Sequence, residues 1–194
     1  MFWISALLLA WLLARQWEQR PIDHPPGVLV AEPPAQVAIN APAGFLFEGF
    51  EITPRARFNL RARVLSAKRY HLGMESKLSP VDLALGWGAM SNTAVLERID
   101  IRQSGRWYHT RYAYPAPLPD QEIIRHSSNM HMVPAHPDVA KALKRIREGD
   151  LVRIRGQLID VDHGSGWNWR TSLRRDDTGN GACEIVWVES LWVE

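Results

Sequence analysis

Apolar and polar positions alternate most cleanly from Arg57 to Val64. Phe58, Leu60, Ala62 and Val64 fall on one face, and Arg57, Asn59, Arg61 and Arg63 on the other. That period of two predicts a half-buried strand with a basic outer face. The next stretch, LSPVDLALGWGAMSN, reads as a helix: Ser79 suits the N-cap, Pro80 the first helical position and Asp82 the positive end of the dipole. Leu83, Leu85 and Trp87 carry that helix on towards Met90. Asp82 is then a helix-start carboxylate, with orientation of a histidine as its other use. A hairpin follows, in which Glu97, Ile99 and Ile101 alternate with Arg98, Asp100 and Arg102, Ser104-Gly105 turns, and WYHTRYAY returns.

From Ile123 to Val161 the pattern predicts a strand, a polar turn, a capped helix and a long strand. The helix starts at Pro137, buries Val139, Leu143 and Ile146, and ends at Gly149. In the strand after it, Val152 and Ile154 point one way and Arg153 and Arg155 the other, while Gly156 suits a bulge or sharp bend. Trp167, Trp169, Thr171 and Leu173 share one face of a further strand. The closing GACEIVWVESLWVE is apolar on both faces, as a central strand is. The fold class expected is α+β: a mostly antiparallel, curled, barrel-like sheet with two short helices.

Ahead of this domain, Phe2 to Ala14 is an unbroken apolar run ended by Arg15. It is short against the roughly 20 apolar residues that span a bilayer, with Trp17 as an interfacial anchor. The residues before Arg15 make a poor cleavage site, which favours an anchor over a signal peptide. The expectation is a transmembrane helix or signal-like segment over residues 1–20, a proline-rich linker over 21–44 and one globular domain over 45–194. The run places the protein in a bacterial inner membrane. Arg15 and Arg20 after it would by the positive-inside rule keep the domain cytoplasmic, but the reading adopted puts the domain in the periplasm. The prolines at 21, 25, 26, 33, 34 and 42 suit an extended spacer. They equally suit a loop wrapping the domain edge, with Val28, Leu29 and Val30 pairing as a short strand.

Charge changes this picture little. The 194 residues carry 23 basic and 21 acidic side chains, net +2, which gives no strong nucleic-acid signal. The basic face from Arg57 to Arg63 could meet phosphate or an acidic polymer. Tyr108, Tyr112 and Tyr114, with His109 and Arg111 opposite, could bind a single-stranded nucleic acid or a sugar. The chain has nine tryptophans and one cysteine, Cys183, so no intramolecular disulfide forms.

The polar residues that stand out are His126, Ser128, Asn129 and His131, with Trp167, Trp169 and Arg174 second. His126, His131 and His136 recur at spacings of five. On a strand that spacing alternates faces, and on a helix it places side chains about 140° apart, so no metal site is expected and no cofactor is implied. His136 is better explained as the residue before the helix that opens at Pro137.

Three resemblances attach to these stretches. The run GDLVRIRG, a Gly-Asp turn followed by alternation and a glycine, resembles the first strand of many OB-fold barrels. Taken together, SPVDLALGWGAMSN, HSSNMHMVPA, GDLVRIRG and GACEIVWVE look like a family of bacterial membrane-anchored proteins with an N-terminal hydrophobic segment, a resemblance that implies no mechanism. His163-Gly164, twenty residues before Cys183, resembles the L,D-transpeptidases, whose cysteine pairs with an upstream His-Gly. Gly181-Ala182 here replaces the His-Gly that precedes that cysteine, and Glu184 follows where those enzymes carry an apolar residue. Two functions are therefore weighed. The first is a membrane-tethered, non-catalytic binding or assembly module of the bacterial cell envelope, with an envelope protein or polymer as partner. The second is a Cys-His cell-wall enzyme with Cys183 as nucleophile and His131, His163 or His126 as base, Asp82 orienting it.

Overall fold

The computed structural model describes residues 20–179 and 181–194. The chain is mixed α/β, mostly strand, with ten strands and four short helices among these residues. The strands are β1 (Ala35–Ala38), β2 (Phe45–Phe47), β3 (Phe50–Arg69), β4 (Val81–Gly86), β5 (Asp100–Ser104), β6 (Trp107–Arg111), β7 (Ser127–Pro134), β8 (Leu151–His163), β9 (Asn168–Trp169) and β10 (Glu184–Val193). The helices are α1 (Met74–Leu78), α2 (Thr93–Leu96), α3 (Asp120–Arg125) and α4 (Pro137–Leu143).

The sheet curls until it closes. β3 pairs with β4, β4 with β7, β7 with β10, β10 with β8, and β8 with β3 again. Every pairing in that ring is antiparallel except β7 with β10, and α4 lies between β7 and β8 in sequence. Phe58, Leu60, Ala62 and Val64 of β3 point inward, as their alternation predicts, and join Leu83, Leu85, Met130, Met132, Val152, Ile154, Val186 and Val188 in the barrel core.

Two irregularities shape the ring. Between Pro54 and Ala56 the register of β3 against β8 shifts by a residue, so the buried face changes over. Leu158 points into the barrel, while its neighbour Ile159 joins Phe50, Ile52 and Val161 in a second core, flanked by Phe45, Phe47, Trp167, Trp169 and Trp187. A second bulge, between Val188 and Ser190 of β10, sits beside Gly156. A Cβ at Gly156 would lie 1.9 Å from the Trp187 carbonyl oxygen, so glycine is needed there for close backbone approach.

Several expectations need correction. The stretch from Val81 to Gly86 is a strand with every residue buried, and Ser79 ends helix α1. The helical reading rested on capping residues, but a strand buried on both faces also presents an unbroken apolar run, and tertiary pairing decided. The strand expected at Ile123 is helix α3, and the polar turn after it is β7, a strand inside the ring. The first hairpin strand starts at Asp100, not at Glu97. After Trp169 the chain leaves the sheet, so Thr171 and Leu173 lie in a loop. The closing strand is central, between β7 and β8.

The transmembrane helix is also withdrawn. No helix among the described residues is long and apolar enough to cross a membrane. The run Phe2 to Ala14 lies outside the described residues. The proline-rich stretch lies against the domain: Ile22 donates to the Glu148 carbonyl, Val30 is fully buried, and β1 pairs with β3.

Candidate functional site

Strand β7 positions most of the polar residues singled out above, and because it is a strand it sends them to two sides of the barrel wall. Met130 and Met132 point inward, and Ser128 shares their side; Asn129, His131 and Val133 point outward.

The outer cluster forms around Asp82, which stands opposite His131 in the β4–β7 register and is wholly buried. His131 Nδ1 lies 3.0 Å from Asp82 Oδ1. Arg106, at the tip of the β5–β6 hairpin, donates from Nη1 to the same oxygen at 2.7 Å and to the Ser79 carbonyl at 2.9 Å. Its guanidinium carbon sits 4.0 Å from the centre of the Tyr70 ring and 5.6 Å from that of Trp169, which in turn packs on His131 at 4.4 Å. Asn129 ties the hairpin backbone down, donating to the Arg106 carbonyl at 3.1 Å and accepting from Gln103 Nε2 at 2.6 Å. The tip residues Gly105 and Arg106 both have positive φ, at 55° and 72°. That is the tight two-residue turn matching strand twist, and arginine accepts a left-handed conformation there because its side chain is so fully engaged.

This arrangement holds a histidine against a carboxylate, and among the described residues no Ser, Thr or Cys side chain is hydrogen-bonded to that histidine. Cys183 contacts Asn129, 3.9 Å from its Nδ2, and among the described residues no hydrogen bond joins it to a histidine. Burial pushes the thiol up to about 11, the Asn129 hydrogen bond lowers it only in part, and the charges of Glu184, Asp82 and Asp177 raise it further. A reactive cysteine requires the opposite environment, electropositive and accessible. His163, the other candidate base, lies at the β8–β9 turn beside Ser165 Oγ at 2.8 Å. His126 caps α3, 3.2 Å from Glu122, with its ring against Gly88.

The inner cluster closes one end of the barrel. Ser128 donates to Glu184, which also pairs with Arg175; Arg175 donates to Gln36 at 2.8 Å as well. With Trp87, Arg174 and Asp177, the residues Ser128, Glu184 and Arg175 line a small polar pocket. Burial raises the Glu184 carboxyl to about 7, against the pull of Arg175 and Ser128. Arg174 itself is exposed and pairs with Asp176. Trp167 belongs to the second core, edge-on to Phe50 and Trp169. Among the described residues, no three His, Cys, Asp or Glu side chains cluster to hold a metal ion.

Asn129, His131 and Trp169 thus meet at one place, with Trp167 against the Trp169 edge, Ser128 and Arg174 meet at another, and His126 stands apart. Sequence reasoning missed Arg106, Glu184 and Arg175. For Asp82 the signal was present: an acid between Val81 and Leu83 on an apolar run is a buried carboxylate once the run is a strand. The chain matches no protein-family model, and no curated protein or solved structure is significantly similar to it.

Two outcomes follow from these contacts. Arg106→Met removes the cationic partner of a buried carboxylate, which costs about 3–5 kcal/mol. Denaturant unfolding should show that loss, and hydrogen exchange should show Asp100–Arg111 deprotected; a change below about 0.5 kcal/mol would make the contact incidental. The Glu184 carboxyl binds its proton more tightly folded than at its ordinary value of 4.5. Its contribution is therefore complete below that pH and is lost as pH rises through about 7. The loss amounts to about 3 kcal/mol from the 2.5-unit span between those two values. Glu184→Gln should flatten that part of the stability–pH curve; an unchanged slope would contradict the assignment.

Proposed function

We propose that the protein is a non-catalytic binding module on an OB-type barrel, whose ligand is an acidic polymer of the cell envelope. The ring order β3-β4-β7-β10-β8, with β7 parallel to β10 and a helix before β8, supports the OB reading. GDLVRIRG then forms the fourth strand of that barrel rather than the first. OB folds take oligonucleotides and oligosaccharides across their second and third strands. Here those strands are β4 and β7, and the β5–β6 hairpin and Trp169 cover them.

The open sheet face is the outer side of β3, β8 and β10. Arg61 stands directly opposite Arg153, and Asn59 opposite Arg155, which places Arg57 diagonally beside Arg155. Like charges opposed on a sheet are destabilising unless something neutralises them. Glu194 does so for the first pair, at 2.7 Å from Arg61 and 3.1 Å from Arg153. Arg57 and Arg155 are exposed and make no ion pair among the described residues. This uncompensated pair is the observation that carries the proposal. Trp192, opposite Arg153 and 51% exposed, adds a flat apolar surface on the same face. The raised Cys183 thiol supports binding over acyl transfer.

Inorganic polyphosphate is a suitable test ligand. Arg57→Glu with Arg155→Glu should weaken its binding at least about tenfold in titration calorimetry, while Lys141→Glu on α4 with Lys144→Glu at its C-cap leaves it within about threefold. Equal losses in both variants, or no binding by the unaltered protein, would overturn the proposal.

A further inference from the structure

A cleft of about 330 Å³ opens beside the end of β3, away from the arginine face just described, and Arg63, Leu65, Leu96, Ile99, Asp100 and Glu148 line it. Its size is at the lower end of the range for small-molecule sites, about 300–1,000 Å³.

Arg63 is the unusual member. On β3 it sits in the alternating row with Arg57 and Arg61, yet it is buried where they reach solvent. Its Nη1 donates to the Ser91 carbonyl at 3.2 Å and to Thr93 Oγ1 at 2.7 Å, both neutral acceptors. It forms no ion pair among the described residues. A buried guanidinium without a carboxylate is costly and is normally paired.

Glu148 supplies the complementary half. It lines the same cleft; burial lowers the Arg63 guanidinium and raises the Glu148 carboxyl, their mutual attraction offsets this only in part, the charge of Asp23 favours the Arg63 cation and opposes the Glu148 anion, and Arg63 and Glu148 do not pair. Asp100, the other acid of the cleft, is already engaged by Arg102 at 2.9 Å. A cation and an anion facing one cavity without closing on each other leave room for a molecule that carries both signs. The wall between them is apolar: Leu65 and Ile99 are buried, and Leu96 and Ile101 pack against them.

We propose that this cleft binds an α-amino acid with an apolar side chain. The carboxylate meets Arg63, the ammonium meets Glu148, and the side chain lies along Leu65, Leu96 and Ile99. Two elements far apart in sequence thereby share one ligand: the β3–α2 corner, and the turn before β8 whose Glu148 carbonyl also holds Ile22.

The test is a titration of the full chain with L-leucine, followed by methyl NMR of Leu65, Leu96 and Ile99. The expected result is saturable shifts confined to those methyls, and binding weakened about tenfold or more in Glu148→Gln, an exposed substitution that leaves the fold intact. 4-Methylpentanoate, which lacks the amine, should bind the unaltered protein as weakly as leucine binds that variant. Absence of saturable shifts with leucine would overturn the proposal. So would equal affinity for leucine and 4-methylpentanoate together with no effect of Glu148→Gln, which would leave a plain carboxylate site at Arg63. Arg63→Lys retains a charge and should weaken leucine binding without loss of fold; unchanged affinity there would also contradict the assignment.

Discussion

The structure depends on the burial of one carboxylate. Asp82 sits on a barrel strand with no exposed surface, and an ionised group in that position is tolerable only if cations and donors converge on it. Arg106 comes from the tip of a hairpin and His131 from the neighbouring strand, both at Asp82 Oδ1, so pairing that oxygen fixes where the hairpin must lie. The hairpin then brings Ile101 and Tyr108 onto the third apolar cluster around Leu65, Met90 and Ile99. A local electrostatic demand thus decides which face of the barrel is covered and which is left open.

That division has a functional consequence. On the proposed OB-type reading, the cover over β4 and β7 takes away the surface such a barrel would ordinarily offer, and it turns His131, Asn129 and Trp169 into parts of a clamp. What remains open is a face whose side chains were set by strand alternation alone. There, Glu194 neutralises the opposed Arg61 and Arg153 and leaves the diagonal neighbours Arg57 and Arg155 without an ion pair among the described residues. The inner end of the barrel is closed separately by Glu184, Arg175 and Ser128, and the raised Glu184 carboxyl makes that closure sensitive to pH near neutrality.

Much of the fold was legible in the sequence where one physical signal dominated. The alternation of Arg57 to Val64, the helix opening at Pro137, the need for glycine at Gly156 and the central closing strand all follow from a single period or a single glycine. Val81 to Gly86 was misread because its capping residues and its apolar run favour opposite structures, and only pairing with β3 and β7 resolves them. The candidate site was legible as residue types but not as an assembly. Asn129 and His131 were identified, but Arg106 reaches them only through the hairpin, a contact that no spacing along the chain encodes. The inner cluster is similar: Arg175 meets Glu184 across a loop, and Gln36 joins it from the proline-rich stretch.

On the proposed reading, the uncovered arginine face, rather than the histidine cluster, meets the ligand. Mapping by NMR where polyphosphate perturbs the protein tests this most directly. The account predicts that the Arg57 and Arg155 side-chain Nε–H signals and the Trp192 indole N–H shift together, while His131 and Trp169 stay unchanged. Shifts centred on His131, Asn129 and Trp169, with the arginine face silent, would contradict it.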